Sequence, residues 1–417
     1  MGTGNRLQYL DNLRTFLIFL VVLVHAGVVY ESSGVMAPYW VVDDPATSDL
    51  TGLVNLILDL FVMPTIFFIS GYLAPVSRER RGTRHYLAAK ARRLLVPWIL
   101  ALFTLIPLYN MLFLVSRGLP QRDWTHYFHF TNGVISMSWL WFLPVLFLFH
   151  ALYAALGAAR LRWPGLTPGR AVAAVFLLSV VWGVILGELG WLGWTKTALI
   201  DFQNERLLPN LLIFLLGAFC GRRGILETNQ RNMKLYVAAS ATAWIPINVY
   251  LVVFLNFFLR PGHPIFSARI DGLVFWFSLH LSALAVLYCL VMSFRYYCQK
   301  QGRLGRTLGR LSYPVYIVHI AVMSPIAIAL LGVDLPGLVK YPILALATYV
   351  ASNLVALAYV RGRLLLRNTP VQTQDARTVG ASSGPFAVAR PVSSLRTDPR
   401  SASPAGAGTR LAGPPRG

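Results

Sequence analysis

Ten apolar runs of about 20 residues recur along this 417-residue chain, and that recurrence restricts the fold more than any other feature. The hydrocarbon core of a bilayer is about 30 Å thick, so a helix rising 1.5 Å per residue crosses it with roughly 20 apolar residues. Runs near 12–30, 51–75, 94–116, 138–158, 171–190, 207–221, 235–258, 273–294, 312–331 and 341–360 reach or approach that length. The sixth is short enough to be broken or to extend outward toward Asp201. A mean hydropathy of +0.58 and 13% charged residues against 56% hydrophobic fit the same reading. A soluble protein of two or three domains has no reason to repeat runs of spanning length. The expected fold is an all-α polytopic membrane protein with about ten transmembrane helices.

The formal net charge of +21 suggests a nucleic-acid binder until its distribution is examined. The arginines sit in short loops between apolar runs rather than along one solvated face, so the charge reads as membrane topology and no nucleic-acid partner is expected. Alternate loops carry 23 Lys and Arg in one set and 7 in the other, which puts both termini on the cytoplasmic side. The first outward loop, 31–50, holds Glu31, Asp43, Asp44 and Asp49 and no basic residue. No basic segment and small-residue cleavage site frame the first apolar run, so it reads as a retained span. Two regions are expected: a membrane domain over 1–367, and a disordered Pro/Ser/Ala/Arg-rich cytoplasmic tail over 368–417 with too little apolar content to bury a core. Cys220, Cys289 and Cys298 lack the spacing of a disulfide framework or a metal site. No internal repeat and no symmetric pair of broken helices, of the kind transporters use, is visible.

An ionisable residue inside a spanning helix costs roughly 2.5–3.5 kcal/mol when charged at mid-bilayer, so each one is a functional candidate. His25 is the foremost. Arg14 lies eleven residues before it, almost three helical turns, so both project from one face about 16 Å apart along the axis. Neutral imidazole suits a buried position and leaves a base available at neutral pH, although a histidine bonded to a neighbouring backbone carbonyl is the plainer alternative. Asp11, three residues before Arg14, is placed to pair with it. Lys90, Arg92 and Arg93 precede Pro97 and Trp98 at the expected entry to the third span. Cations at a helix N-terminus, with its free N–H groups, can hold a phosphate, and positive-inside anchoring explains them too.

In the ninth span Ser312, Tyr316 and His319 fall at i, i+4 and i+7 with Tyr313 beside them, so they share a face that lines a cavity or packs. Ser70, Gly71 and Tyr72 suit close helix packing, and no G-X-S-X-G elbow surrounds Ser70 to make it a nucleophile. His126 and His129 lack a supporting ligand set, so no metal is expected. Glu188, Asp201, Glu205 and Arg206 gather on the outward side, as acceptor-facing residues or as paired surface charges.

The spacing of Arg14 and His25 matches the R-X10-H pattern of the transmembrane acyltransferase 3 family, and YLDNLRTFLIFLVVLVHA resembles that family's first helix. FVMPTIFFISGYLAP, KARRLLVPW, SWLWFLPVLFLFH and LSYPVYIVHI resemble later signatures in the expected order, so the resemblance spans about Leu7 to Arg361. Within the family, the Met-Pro-Thr second helix and acidic first loop look closest to the osmoregulated periplasmic glucan C proteins, implicated in succinylating glucans. The resemblance implies a multi-pass enzyme of the cell membrane that moves an acetyl, succinyl or similar group from cytoplasmic acyl-CoA to a hydroxyl of a glycan or another acceptor on the far side. It gives His25 the role of catalytic histidine and Arg14 that of its paired arginine. The family's R-X-X-R pair before the third helix is here Lys90-X-X-Arg93, which keeps the charge but loses bidentate phosphate geometry at Lys90. Acyl-CoA is then a co-substrate with no bound cofactor, membrane lipid and the acceptor are partners, and homodimer formation stays open. A secondary transporter or exporter of a glycan or acylated metabolite is the competing class, because intramembrane Arg and His would suit it as well. A regulatory or assembly subunit without chemistry of its own is a third.

Overall fold

The structure is a computed structural model, and it describes residues 7–32, 40–128, 137–158, 165–197, 200–228 and 232–368. The expected tail beyond 368 lies outside the described residues, as do Arg160, Arg162, His129 and Arg231. Met1–Leu366 forms one unit and Arg367–Gly417 a second; the account below concerns the first.

Helix α1 (Gln8–Val28) coincides with the first apolar run. The second run is divided into α2 (Asp49–Asp59), α3 (Val62–Tyr72) and α4 (Ala74–Arg81), and prolines account for the divisions. A proline ring collides with the carbonyl four residues earlier and offers it no N–H. Pro64 therefore disturbs the helix at Leu60, and Pro75 at Gly71. Gly82, at φ +72°, turns the chain into the long α5 (Thr83–Ser116), a backbone region that residues with a Cβ rarely adopt.

After a 3-10 turn at Ser138–Trp141 come α6 (Phe142–Ala158) and α7 (Pro168–Glu188). A two-stranded antiparallel ribbon pairs Trp194–Lys196 with Asp201–Gln203, Thr195 opposite Phe202. Then follow α8 (Asn204–Arg222), α9 (Met233–Thr242), α10 (Trp244–Leu259), α11 (Ala268–Tyr297), α12 (Arg303–Leu331) and α13 (Gly337–Asn368). Pro246, in the first turn of α10, divides α9 from α10 as Pro64 divides α2 from α3.

Among the described residues nine helical segments are long and apolar enough to cross a membrane. The chain is an all-α polytopic membrane protein. The expected sixth span is present as α8, but Asn204, Glu205 and Arg206 in its first turn leave it below the apolar content of the other nine. Helix α8 is buried instead through its packing on α3. A Cβ at Gly71 would run into the carbonyl of Phe214, at Gly217 into that of Phe68 and at Gly221 into that of Tyr72. Small residues on both helices thus let two backbones touch, the close packing that drives helix association where no water is expelled.

Burial ranks the helices from centre to rim. Leu13, Leu17, Val22 and Ala26 of α1 are fully buried, and α1 packs against α2, α3, α11 and α12. Val252 and Leu259 of α10 and Leu177 and Leu178 of α7 are exposed, apolar faces that suit lipid rather than water. The helix carrying His25 lies in the protein interior, against α12.

Candidate active site

Helices α1 and α12 are joined at two levels. At the first, Arg14 bonds to Asp11 at 3.1 Å, donates to the Gly309 carbonyl at 2.9 Å and donates to Ser312 Oγ at 3.3 Å. The expected Asp11–Arg14 pair is therefore present, and it aims the guanidinium across at α12. At the second level His25 and His319 meet, with His319 Nε2 3.1 Å from His25 Nδ1 and ring centroids 4.9 Å apart. Because Arg14 meets Ser312 and His25 meets His319, the two helices run in the same direction, and the common face read from the eleven-residue spacing is the face turned to α12.

The hydrogen-bond partners decide where the protons sit when both rings are neutral. His319 Nδ1 lies 2.7 Å from the Tyr316 carbonyl, which can only accept, so Nδ1 carries the hydrogen and Nε2 a lone pair. That lone pair faces His25 Nδ1, which also lies 2.9 Å from the Val21 carbonyl. With two acceptors around it, His25 Nδ1 must be the donor. The lone pair of His25 is left on Nε2. His319 is fully buried while His25 keeps partial exposure, so His25 is the member of the pair that a reactant can reach.

Aromatic groups enclose the pair. Trp40 stacks on His25 with centroids 5.3 Å apart and planes 4° from parallel. Trp139 approaches His319 edge-on at 6.4 Å and donates from Nε1 to the Ile317 carbonyl at 2.9 Å, while Tyr316 donates to the Trp139 carbonyl. Ser138, just before Trp139, holds φ at +46°, a strained value for a residue with a Cβ that delivers the indole between α5 and α12. Ser312 and Tyr316 share the expected face, but both are buried and hydrogen-bonded to protein.

The basic trio departs from expectation in one respect. Lys90, Arg92 and Arg93 do not stand at a helix N-terminus. Helix α5 begins at Thr83, and with no proline before Pro97 the helix runs through all three, so their N–H groups are used within it. Only side-chain charge is available there. Arg92 and Arg93 are exposed and Lys90 is half-buried, with its ammonium 5.6 Å from the Tyr86 ring. Arg93 lies 5.6 Å over Tyr313, whose hydroxyl donates to the Arg93 carbonyl at 2.5 Å. The patch is thereby tied to α12, the helix that carries His319.

Ser70 lies half-buried on α3, and among the described residues no hydrogen bond joins it to the histidine pair. Three of the four residues expected on the outward side are held structurally: Arg206 by Asp59 at 2.5 Å, Glu205 by the Gly193 N–H at 2.9 Å, and Asp201 by the N–H groups of Met137 and Thr197. Burial pushes the Asp201 carboxyl up from its ordinary pKa, against those two donors. His126 is exposed, and the described residues contain no group of three or more metal-ligating side chains.

Besides the His25–His319 contact, three features escaped the sequence reading. The Trp40 stack comes from a loop whose only visible signal was acidity. That loop is pinned by Arg117, which donates to the Trp40 carbonyl at 2.9 Å, and by Ser116, which donates to Val41 at 2.7 Å. It is pinned again by Asp44, buried with Lys340 of α13 at 2.9 Å.

The histidine pair thus lies inside a membrane-spanning fold, between its first and twelfth helices. The family model described as an acyltransferase domain matches residues 7–361. The chain belongs to this acyltransferase 3 family and is a multi-pass membrane acyltransferase. Comparison with curated proteins returns no match.

Proposed function

We propose that the protein is an O-acyltransferase of the cell membrane that takes an acetyl, succinyl or similar acyl group from cytoplasmic acyl-CoA and places it on a hydroxyl of a glycan or another acceptor at the far side, with His25 as general base. One observation carries the reading: the hydrogen-bond chain from Tyr316 through His319 to His25 leaves an unprotonated Nε2 on the accessible ring. Positioned bases of this kind supply roughly 10²–10⁴-fold in rate.

In the reaction, His25 Nε2 takes the proton of the acceptor hydroxyl as its oxygen bonds to the thioester carbonyl carbon. The carbon–sulfur bond then breaks, and the imidazolium returns the proton to the departing CoA thiolate. The products are an ester and free CoA thiol. While His25 is cationic, its Nδ1–H still faces Val21 and His319 Nε2, so the charge has two acceptors in a site of low dielectric. His319 acts as a positioning residue. Arg93 and Arg92, with Lys90 as a point charge, receive the donor's phosphates through side-chain contacts. Arg14 holds α1 and α12 in the register that brings the histidines together, and it lies on the donor's side of His25.

The test incubates purified protein with labelled acyl-CoAs and a panel of glycan acceptors, beside His25→Gln. We expect CoA thiol release and an acceptor mass increase from the wild type, and a loss of about 10²–10⁴-fold in the variant with its elution profile unchanged. Normal transfer by a folded His25→Gln protein would remove the base from the mechanism. Movement of unmodified substrate across vesicles without any acyl donor would favour the transporter.

A further inference from the structure

Away from the histidine pair, Leu156 of α6, Ala174, Val175 and Leu178 of α7, and Leu212 and Leu215 of α8 line an apolar groove of about 160 Å³. This is close to the ~150 Å³ of a dry protein cavity that takes up benzene. Ala174 and Leu178 are exposed, so the groove opens at the surface of the helix bundle. Tyr153 and Arg222 also line it.

Two guanidiniums converge on that tyrosine. Arg222 Cζ lies 5.5 Å from the centre of the Tyr153 ring, and Arg78 Cζ lies 5.7 Å from the same centre. Arg222 Nε also donates to the Tyr153 hydroxyl at 3.3 Å, and Arg78 Nε donates to Thr83 Oγ1 at 3.3 Å. Gly157 makes room for Arg78, whose guanidinium occupies the space a Cβ there would need. Among the described residues neither arginine takes part in an ion pair. Two like charges sharing one ring repel each other, and an anion between them reverses that sign. Guanidinium forks match phosphate oxygens, and basic pockets between spanning helices hold phospholipid headgroups.

We propose that this groove binds one anionic phospholipid, with an acyl chain along α7 and α8 and the phosphate between Arg78 and Arg222. The chain of an acyl donor is a poorer occupant, because no residue lining the groove belongs to α1 or α12, so a thioester there would be remote from His25.

The full chain, purified in detergent, is offered phosphatidylglycerol and phosphatidylcholine with identical acyl chains, and retained lipid is counted by native mass spectrometry. The wild type should retain phosphatidylglycerol about tenfold over phosphatidylcholine, and R78Q/R222Q should bring the ratio to about one. A174W, which places an indole in the groove from its exposed side, should release the lipid while leaving the thermal midpoint and acyl transfer unchanged. Equal retention of the two lipids by the wild type overturns the proposal, as does an unchanged ratio in R78Q/R222Q. Should that variant not fold, retention of phosphatidylglycerol by folded A174W overturns it instead. Displacement of the lipid by equimolar palmitoyl-CoA would assign the groove to the donor and also overturn it. These readouts do not depend on which acyl group or acceptor the enzyme uses.

Discussion

His25 would be an unremarkable packing residue if its ring touched only the Val21 carbonyl of its own helix. The Val21 carbonyl alone already leaves the free lone pair on Nε2, and the contact with His319 adds a second acceptor at Nδ1–H that fixes the ring's orientation and would share the charge of an imidazolium. Replacing His319 should therefore act through His25. In His319→Gln the side-chain oxygen reaches about where Nε2 stood and can still accept from His25 Nδ1–H. His319→Phe keeps the volume but offers no acceptor. We expect the phenylalanine variant to lose about 10²-fold in kcat, the cost of a misplaced reacting group, and glutamine to recover a substantial part. KM for the acyl donor should stay near wild type in both. Parallel loss in the two variants would reduce His319 to packing.

At the scale of elements, proline and glycine positions do most to shape the scaffold. Pro64, Pro75 and Pro246 divide runs whose apolar content reads as continuous, and Gly71, Gly217 and Gly221 let α3 and α8 meet backbone to backbone. Gly217→Leu should push the two helices apart and cost on the order of 1–3 kcal/mol, read as a lower thermal midpoint in detergent. Gly169→Ala, in the first turn of α7 with open space around its position, should leave that midpoint unchanged or raise it slightly. An equal response at the two sites would mean that helix propensity, not close approach, decides the effect. The long α5 shows the converse case: without a proline before Pro97, helix extends back to Thr83 and the basic trio becomes side-chain charge on a helix surface.

Across the whole molecule, the loop bearing Trp40 is fastened to a residue far along the sequence. Asp44 and Lys340 are 296 residues apart, and both are buried. Removing one partner from a buried ion pair strands the other charge, at a cost of about 3–5 kcal/mol. Lys340→Met should lower the thermal midpoint accordingly and weaken transfer by loosening the stack on His25. The double variant Asp44→Asn, Lys340→Met should recover most of the stability, since the asparagine oxygen can still accept from the Ala46 N–H now bonded to Asp44 at 2.9 Å. No recovery in the double variant would indicate that the ion pair itself is needed. Much of this protein was legible in sequence because lipid imposes a length on every span: the all-α class and the approximate helix count follow from that length. The Asp11–Arg14 pair and the common face of Arg14 and His25 follow from 3.6 residues per turn. The 294-residue pairing of His25 with His319, the Trp40 stack and the Asp44–Lys340 bond were decided only by tertiary structure. Helices that are apolar on nearly every face carry little periodic signal of which side meets which neighbour, so their order and rotation come from close packing and a few buried polar contacts.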